Sequence, residues 1–147
     1  MENREGRGVL RFKPKFDKLY YITSAVAVLL VLAAAVPVSV LDASALFIVL
    51  PVAAFVLYFL VSPLFGYVEL REEEVFVRFG LILTRRIPYS VIHGAEKQRR
   101  FYADSMLSLK NALTHVNIKY NSFDVISVSV TENDLLMEEL KTRSATL

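Results

Sequence analysis

The hydrophobic pattern changes rhythm twice along this chain of 147 residues. A basic start gives way at Leu19 to a stretch almost free of charge, and from Gly66 apolar and polar positions alternate. Residues 19–65 carry a single charged side chain, Asp42, and divide into apolar runs at 19–41 and 45–65. Either run, coiled as a helix rising 1.5 Å per residue, would reach ~31–35 Å and match the ~30 Å hydrocarbon core of a bilayer. A carboxylate at mid-membrane costs about 2.5–3.5 kcal/mol, so Asp42-Ala43-Ser44 is expected in the turn between two antiparallel helices. The pattern predicts a transmembrane hairpin. A pair of buried helices, apolar all round, would need more covering surface than the remaining residues supply. A cleaved signal peptide fits poorly, because the first run is too long and a second follows it. Pro37, Pro51 and Pro63 predict slight bends. Tyr20, Tyr21, Tyr58, Phe59, Phe65 and Tyr67 gather toward the end where the chain enters and leaves, and suit a headgroup layer.

Beyond Gly66 the period is two. Tyr67–Leu70 and Val75–Phe79 read as half-buried strands joined through Arg71-Glu72-Glu73-Glu74. A third strand is expected over Leu81–Ile87, ended by Pro88, and a fourth over Ile92–Arg99. Val116–Tyr120, a turn at Asn121-Ser122, and Phe123–Val130 complete the strands. Thr131 then stands as an expected N-cap, with Asp134 in an imperfect capping box. Leu136, Met137 and Leu140 form the apolar stripe of a closing helix, whose Lys141 and Arg143 complement its dipole. Strands followed by one amphipathic helix indicate an α+β domain. The expected layout is a basic cytoplasmic tail at 1–18, the hairpin at 19–65, and a cytoplasmic domain at 66–147.

Charge sets the orientation. The first 18 residues hold Arg4, Arg7, Arg11, Lys13, Lys15 and Lys18 against Glu2, Glu5 and Asp17, while the 42–44 loop has no basic residue. The positive-inside rule then puts both termini in the cytoplasm and Asp42 on the outer side. The same cluster would attract anionic headgroups, although a topology signal alone explains it. Residues 66–147 hold 11 basic and 11 acidic side chains, so they carry no net field for nucleic acid. The absence of cysteine excludes a disulfide scaffold, a thiolate metal site and a cysteine nucleophile.

Three segments carry a family resemblance: Arg11-Phe12-Lys13-Pro14-Lys15-Phe16-Asp17-Lys18, then Val75–Gly80 with Arg86-Ile87-Pro88-Tyr89-Ser90-Val91-Ile92, and Met106-Leu107-Ser108-Leu109. With them the chain resembles short bacterial PH-like (pleckstrin-homology-like) proteins, in which two membrane helices precede one cytoplasmic PH-like domain. The resemblance implies two bent antiparallel sheets of seven strands, capped by a C-terminal helix. This chain departs from the family pattern at Lys110-Asn111, where Asp-Arg is common, and at Val128-Ser129-Val130. A fold of this kind implies no activity by itself.

Motifs for chemistry are missing. The glycines make no phosphate loop, no nucleophile elbow is present, and His93 and His115 lie 22 positions apart on different expected elements. Glu72–Glu74 reads as a solvated cluster. It also makes the first strand–strand loop acidic, which speaks against a phosphoinositide there. No catalytic residue, cofactor or metal ligand is therefore assigned. The one suggestive group is basic and aromatic: Arg85, Arg86, Lys97, Arg99, Arg100, Phe101 and Tyr102. Such a group can meet anionic headgroups or an acidic peptide, since arginine pairs bidentately with phosphate and carboxylate. As solvated strand ends, the same residues would simply keep a tethered domain soluble. The expected role is non-catalytic: a membrane-anchored interaction module that binds a protein partner or itself. The alternative is an anionic-lipid sensor using residues 85–102.

Overall fold

The computed structural model describes residues 8–105 and 108–144. Arg4 and Arg7 of the basic tail, its Glu2 and Glu5, and the Met106-Leu107 pair lie outside the described residues. In chain order come β1 (Leu10–Phe12), α1 (Lys18–Leu41), α2 (Leu46–Val61), β2 (Tyr67–Leu70), β3 (Glu74–Arg78) and β4 (Thr84–Pro88). There follow β5 (Ile92–Arg99), β6 (Ser108–Leu109), β7 (Thr114–Tyr120), β8 (Asp124–Val128) and α3 (Asn133–Arg143). The strands build two four-stranded sheets, in the orders β1-β2-β3-β4 and β5-β7-β8-β6. Neighbouring strands run antiparallel, except β6, which lies parallel to β8.

Alternation explains the core. Val68, Leu70, Val75 and Val77 turn inward from the first sheet and meet Val116, Ile118, Ile126 and Val128 of the second, all buried. Leu136 and Leu140 of α3 close the stack, and Met137 packs at its edge. Each such aliphatic side chain contributes about 1.5–3 kcal/mol by leaving water.

The strand β1 is new relative to the sequence pattern, which predicts no strand ahead of Leu19. Leu10, Arg11 and Phe12 pair with Leu70, Glu69 and Val68, and Phe12, 3% exposed, enters the core. The segment then crosses to the second sheet. Pro14 forms a bridge with Val130, the Lys15 N–H donates to the Ser129 carbonyl at 2.9 Å, and the Thr131 N–H donates to the Lys13 carbonyl at 3.1 Å. With this strap the described residues hold eight strands, against the implied seven.

Other differences have local causes. Leu81–Leu83 form a turn, not the start of a strand, and β4 begins only at Thr84. Arg78 holds that turn by donating to the Gly80 and Leu81 carbonyls at 2.7 and 3.0 Å, and the Leu81 N–H reaches Ser62 Oγ. Only glycine fits at 80, because a Cβ there would lie 2.9 Å from the Ser62 carbonyl oxygen. The final helix starts at Asn133, so Thr131 is not its cap. Asn133 instead accepts the Val130 N–H at 3.0 Å, which fixes the bend from β8 into α3. Asn121 takes the left-handed φ of 52° in the β7–β8 turn, a conformation asparagine tolerates. The turn extends through Phe123, which is fully exposed, so the last strand begins at Asp124.

The two helices from Lys18–Val38 and Ala43–Phe65 are long and apolar enough to cross a membrane, and neither is covered by the rest of the protein. Asp42 caps the turn between them by accepting from the Ser44 N–H and hydroxyl at 2.9 and 2.7 Å. At the opposite end the Tyr20 hydroxyl donates to the Leu60 carbonyl and joins the helices near the domain.

Candidate functional site

The basic-aromatic group of residues 85–102 does not form one surface. Arg85 leans over the ring of Tyr120 at 5.7 Å, and Tyr120 pairs with Ile92 at one end of β5. Arg99 pairs with Thr114 at the other end, six residues along β7, or ~20 Å away at ~3.3 Å per residue. Arg86 faces the outer side of the first sheet, over Phe76 and 4.0 Å from Glu74. Glu74 is only partly exposed, and it also holds Arg71 at 3.1 Å, so it is a member of a charge ladder on β3 and not of a solvated turn. Lys97 reaches α3 and pairs with Asp134 at 2.6 Å. The structure keeps together only Arg99, Arg100, Phe101 and Tyr102.

Of these, Arg99 stands at the base of the hairpin. Arg99 lines an opening of about 320 Å³ with Lys15, Lys18 and Thr114. Arg100 lies over the Tyr102 ring at 5.6 Å, and the Phe101 carbonyl accepts from Lys110 Nζ at 2.7 Å. Desolvation holds the Lys110 amine below its ordinary value, with Asp17 and Asp104 acting in the other direction. Phe101 and Tyr102 are exposed, and so is the Leu81–Leu83 turn, whose Ile82 is 73% exposed.

Sequence reasoning missed Asp17. Its carboxylate accepts from the Leu19 and Tyr20 N–H groups at 3.1 and 3.3 Å and caps α1. Its second oxygen accepts the Leu113 N–H at 2.7 Å, across the domain boundary. Arg143 was read only as a dipole partner. Its side chain is 5% exposed, and it donates to Glu139, to the Arg71 carbonyl and to the Gly8 carbonyl at 3.1, 3.1 and 3.2 Å. It ties the end of α3 to the strap.

His115 lies fully buried, with Nδ1 3.1 Å from the Leu113 carbonyl and Nε2 without a partner among the described residues. Burial depresses its pKa below the usual value of about 6.5, aided by the charges of Lys110 and Arg100 and opposed by the Leu113 carbonyl and Asp104. A histidine held neutral in the fold stabilises fully above the unfolded value, and that stability is lost as pH falls below it. The melting temperature should therefore drop between pH 7 and pH 5. His115→Gln should flatten that slope; an unchanged slope would remove His115 as its cause. Among the described residues no three histidine, aspartate or glutamate side chains come together as a metal set.

A family model described as Bacterial PH domain matches residues 66–144, from the residue before β2 to the residue after α3. No curated protein and no solved structure matches the chain.

Proposed function

The chain belongs to the bacterial PH domain family, and from that premise we propose that it is a non-catalytic, membrane-anchored interaction module. Its hairpin crosses the inner membrane with both termini in the cytoplasm, and its domain binds a protein partner or a second copy there. The observation that carries this reading is β5. This eight-residue strand ends its sheet, paired on one side with β7 and with no strand on the other among the described residues. Beyond Ile92, whose carbonyl already accepts from Ser144 Oγ at 3.3 Å, such an edge strand can accept an added strand through backbone hydrogen bonds. Lysines and a bulge are usual guards of such an edge. Both occur here: the register shifts between Ile92 and Gly94, and Lys97 leans toward α3. Tethering raises the local concentration of the edge near membrane partners.

The test is a photo-crosslinking side chain at Glu96, compared with one at the exposed but distant Phe123, in living cells. A discrete adduct from 96 alone is expected. Equal or absent adducts at both positions would overturn the strand-addition reading. The second reading, lipid sensing, is favoured by the position of Arg99 beside the start of α1. In that case Arg85, Arg86 and Lys97 take no part, being drawn to Tyr120, Phe76 and Asp134.

A further inference from the structure

We infer that the opening between the strap and the hairpin base is a binding site for the phosphate headgroup of an anionic phospholipid. It encloses about 750 Å³ and is lined by Arg11, Lys13 and Arg78 together with Phe16, Phe65 and Tyr67. The inference rests on the reading that α1 and α2 cross the bilayer, and it uses none of residues 85–102.

Three features point to the ligand. First, among the described residues three cations line the opening and no carboxylate does. Arg11 faces Glu69 across the β1–β2 ladder, but Glu69 accepts from Arg71 at 2.8 Å. Arg11 instead lies 3.6 Å from the centre of the Tyr67 ring, with Arg78 on the same ring at 6.0 Å. Two guanidinium groups drawn to one ring repel each other, and an anion between them relieves that repulsion. Guanidinium forks match phosphate oxygens bidentately.

Second, the site is built. Arg78 is pinned through the Gly80 and Leu81 carbonyls at 2.7 and 3.0 Å, and Arg11 sits in the middle of a paired strand. Both charges are held in place before any ligand arrives, which lowers the entropy lost on binding. Third, the wall opposite the cations is apolar. Phe16 precedes α1 and Phe65 ends the turn after α2, so the wall continues into the uncovered surface of the helices. A soluble phosphate has no use for such a wall, whereas a phospholipid lays its acyl chains along it. The volume falls within the usual range for small-molecule sites, about 300–1,000 Å³.

The test uses the full chain purified in mild detergent, with bound lipid counted by native mass spectrometry during titration with phosphatidylglycerol or phosphatidylcholine. The wild type should bind one phosphatidylglycerol with about tenfold preference, and Arg11→Gln with Arg78→Gln should abolish that preference. Arg78→Lys, which keeps the charge, should retain part of it, and Arg85→Gln with Arg86→Gln should change nothing. Equal binding of the two lipids, or an unchanged preference in the Arg11/Arg78 double variant, would overturn the site. Displacement of the lipid by millimolar inorganic phosphate would overturn the lipid assignment. A chain that stays dissolved without detergent would instead defeat the membrane reading beneath it, so the two failures are told apart.

Discussion

Phe12→Ala in the full chain should cost about 3–5 kcal/mol of domain stability, the usual loss for a buried phenylalanine. Phe12 precedes the hairpin by only five residues, yet its ring sits in the core of the domain that follows the hairpin. Removing it leaves a cavity between the sheets and weakens the β1–β2 pairing that the ring anchors. Hydrogen exchange should show the effect most clearly. Amides of β2 that are protected while β1 covers its edge should exchange faster, and those of β7, paired on both sides, should change less. Leu10→Ala, at a partly buried position of the same strand, should cost less. A loss under about 1 kcal/mol for Phe12→Ala would mean that the strap is ornamental and that the domain is closed without it.

The strap changes how the membrane attachment works. A domain joined to a hairpin through one flexible linker can tumble above the bilayer. Here the hairpin is inserted between β1 and β2, which pair with each other, so the domain holds both ends of the hairpin. Arg143 adds a third link by reaching Gly8 from the end of α3. Such a clamp fixes the domain relative to the hairpin, and with it the directions of β5 and of the Arg11–Arg78 opening.

Much of this fold could be read from the pattern. The bounds of β2 and β5, the two long helices, the role of Asp42 and the closing helix all follow from period and charge, because each element buries one face against one neighbour. The strap was legible too, but its signal was overwritten. Leu10, Phe12, Pro14 and Phe16 alternate with Arg11, Lys13 and Lys15, a period of two that also reads as a basic flank beside a membrane helix. Its partner, β2, lies beyond the hairpin, and no local pattern announces a pairing across so long an insertion. Leu81–Leu83 failed in the opposite sense. Three apolar residues after a glycine look like a strand, yet Ser62 and Arg78 hold them as a turn. The basic-aromatic residues between 85 and 102 are close in sequence but not all close in space, because β5 carries its two ends to opposite rims of the domain. Of the cations that do converge, Arg78 lies more than sixty positions from Arg11 and Lys13 and is brought to them only by strand register.

Asp17→Ala is the second large expected effect, and it tests the coupling itself. The side chain acts on both sides of the boundary, capping α1 through Leu19 and Tyr20 and accepting at 2.7 Å the N–H of Leu113, in the bend that leads into β7. Losing a helix cap costs about 1 kcal/mol, and losing a charge-assisted bond to the backbone costs about 1.5–3 kcal/mol. Together the variant should lose about 3 kcal/mol, less any overlap between the two roles. Lys110 would suffer as well. Its amine is already disfavoured by desolvation, and Asp17 is the first of the two acids that offset this, so the contact with the Phe101 carbonyl should loosen. Asp17→Asn can keep one acceptor but not the charge, and should fall between the two. The readout is hydrogen exchange at Leu19, Tyr20 and Leu113, which should quicken together in Asp17→Ala. If only Leu19 and Tyr20 respond, Asp17 is a helix cap and nothing more, and the start of α1 is coupled to the second sheet through the strap backbone alone.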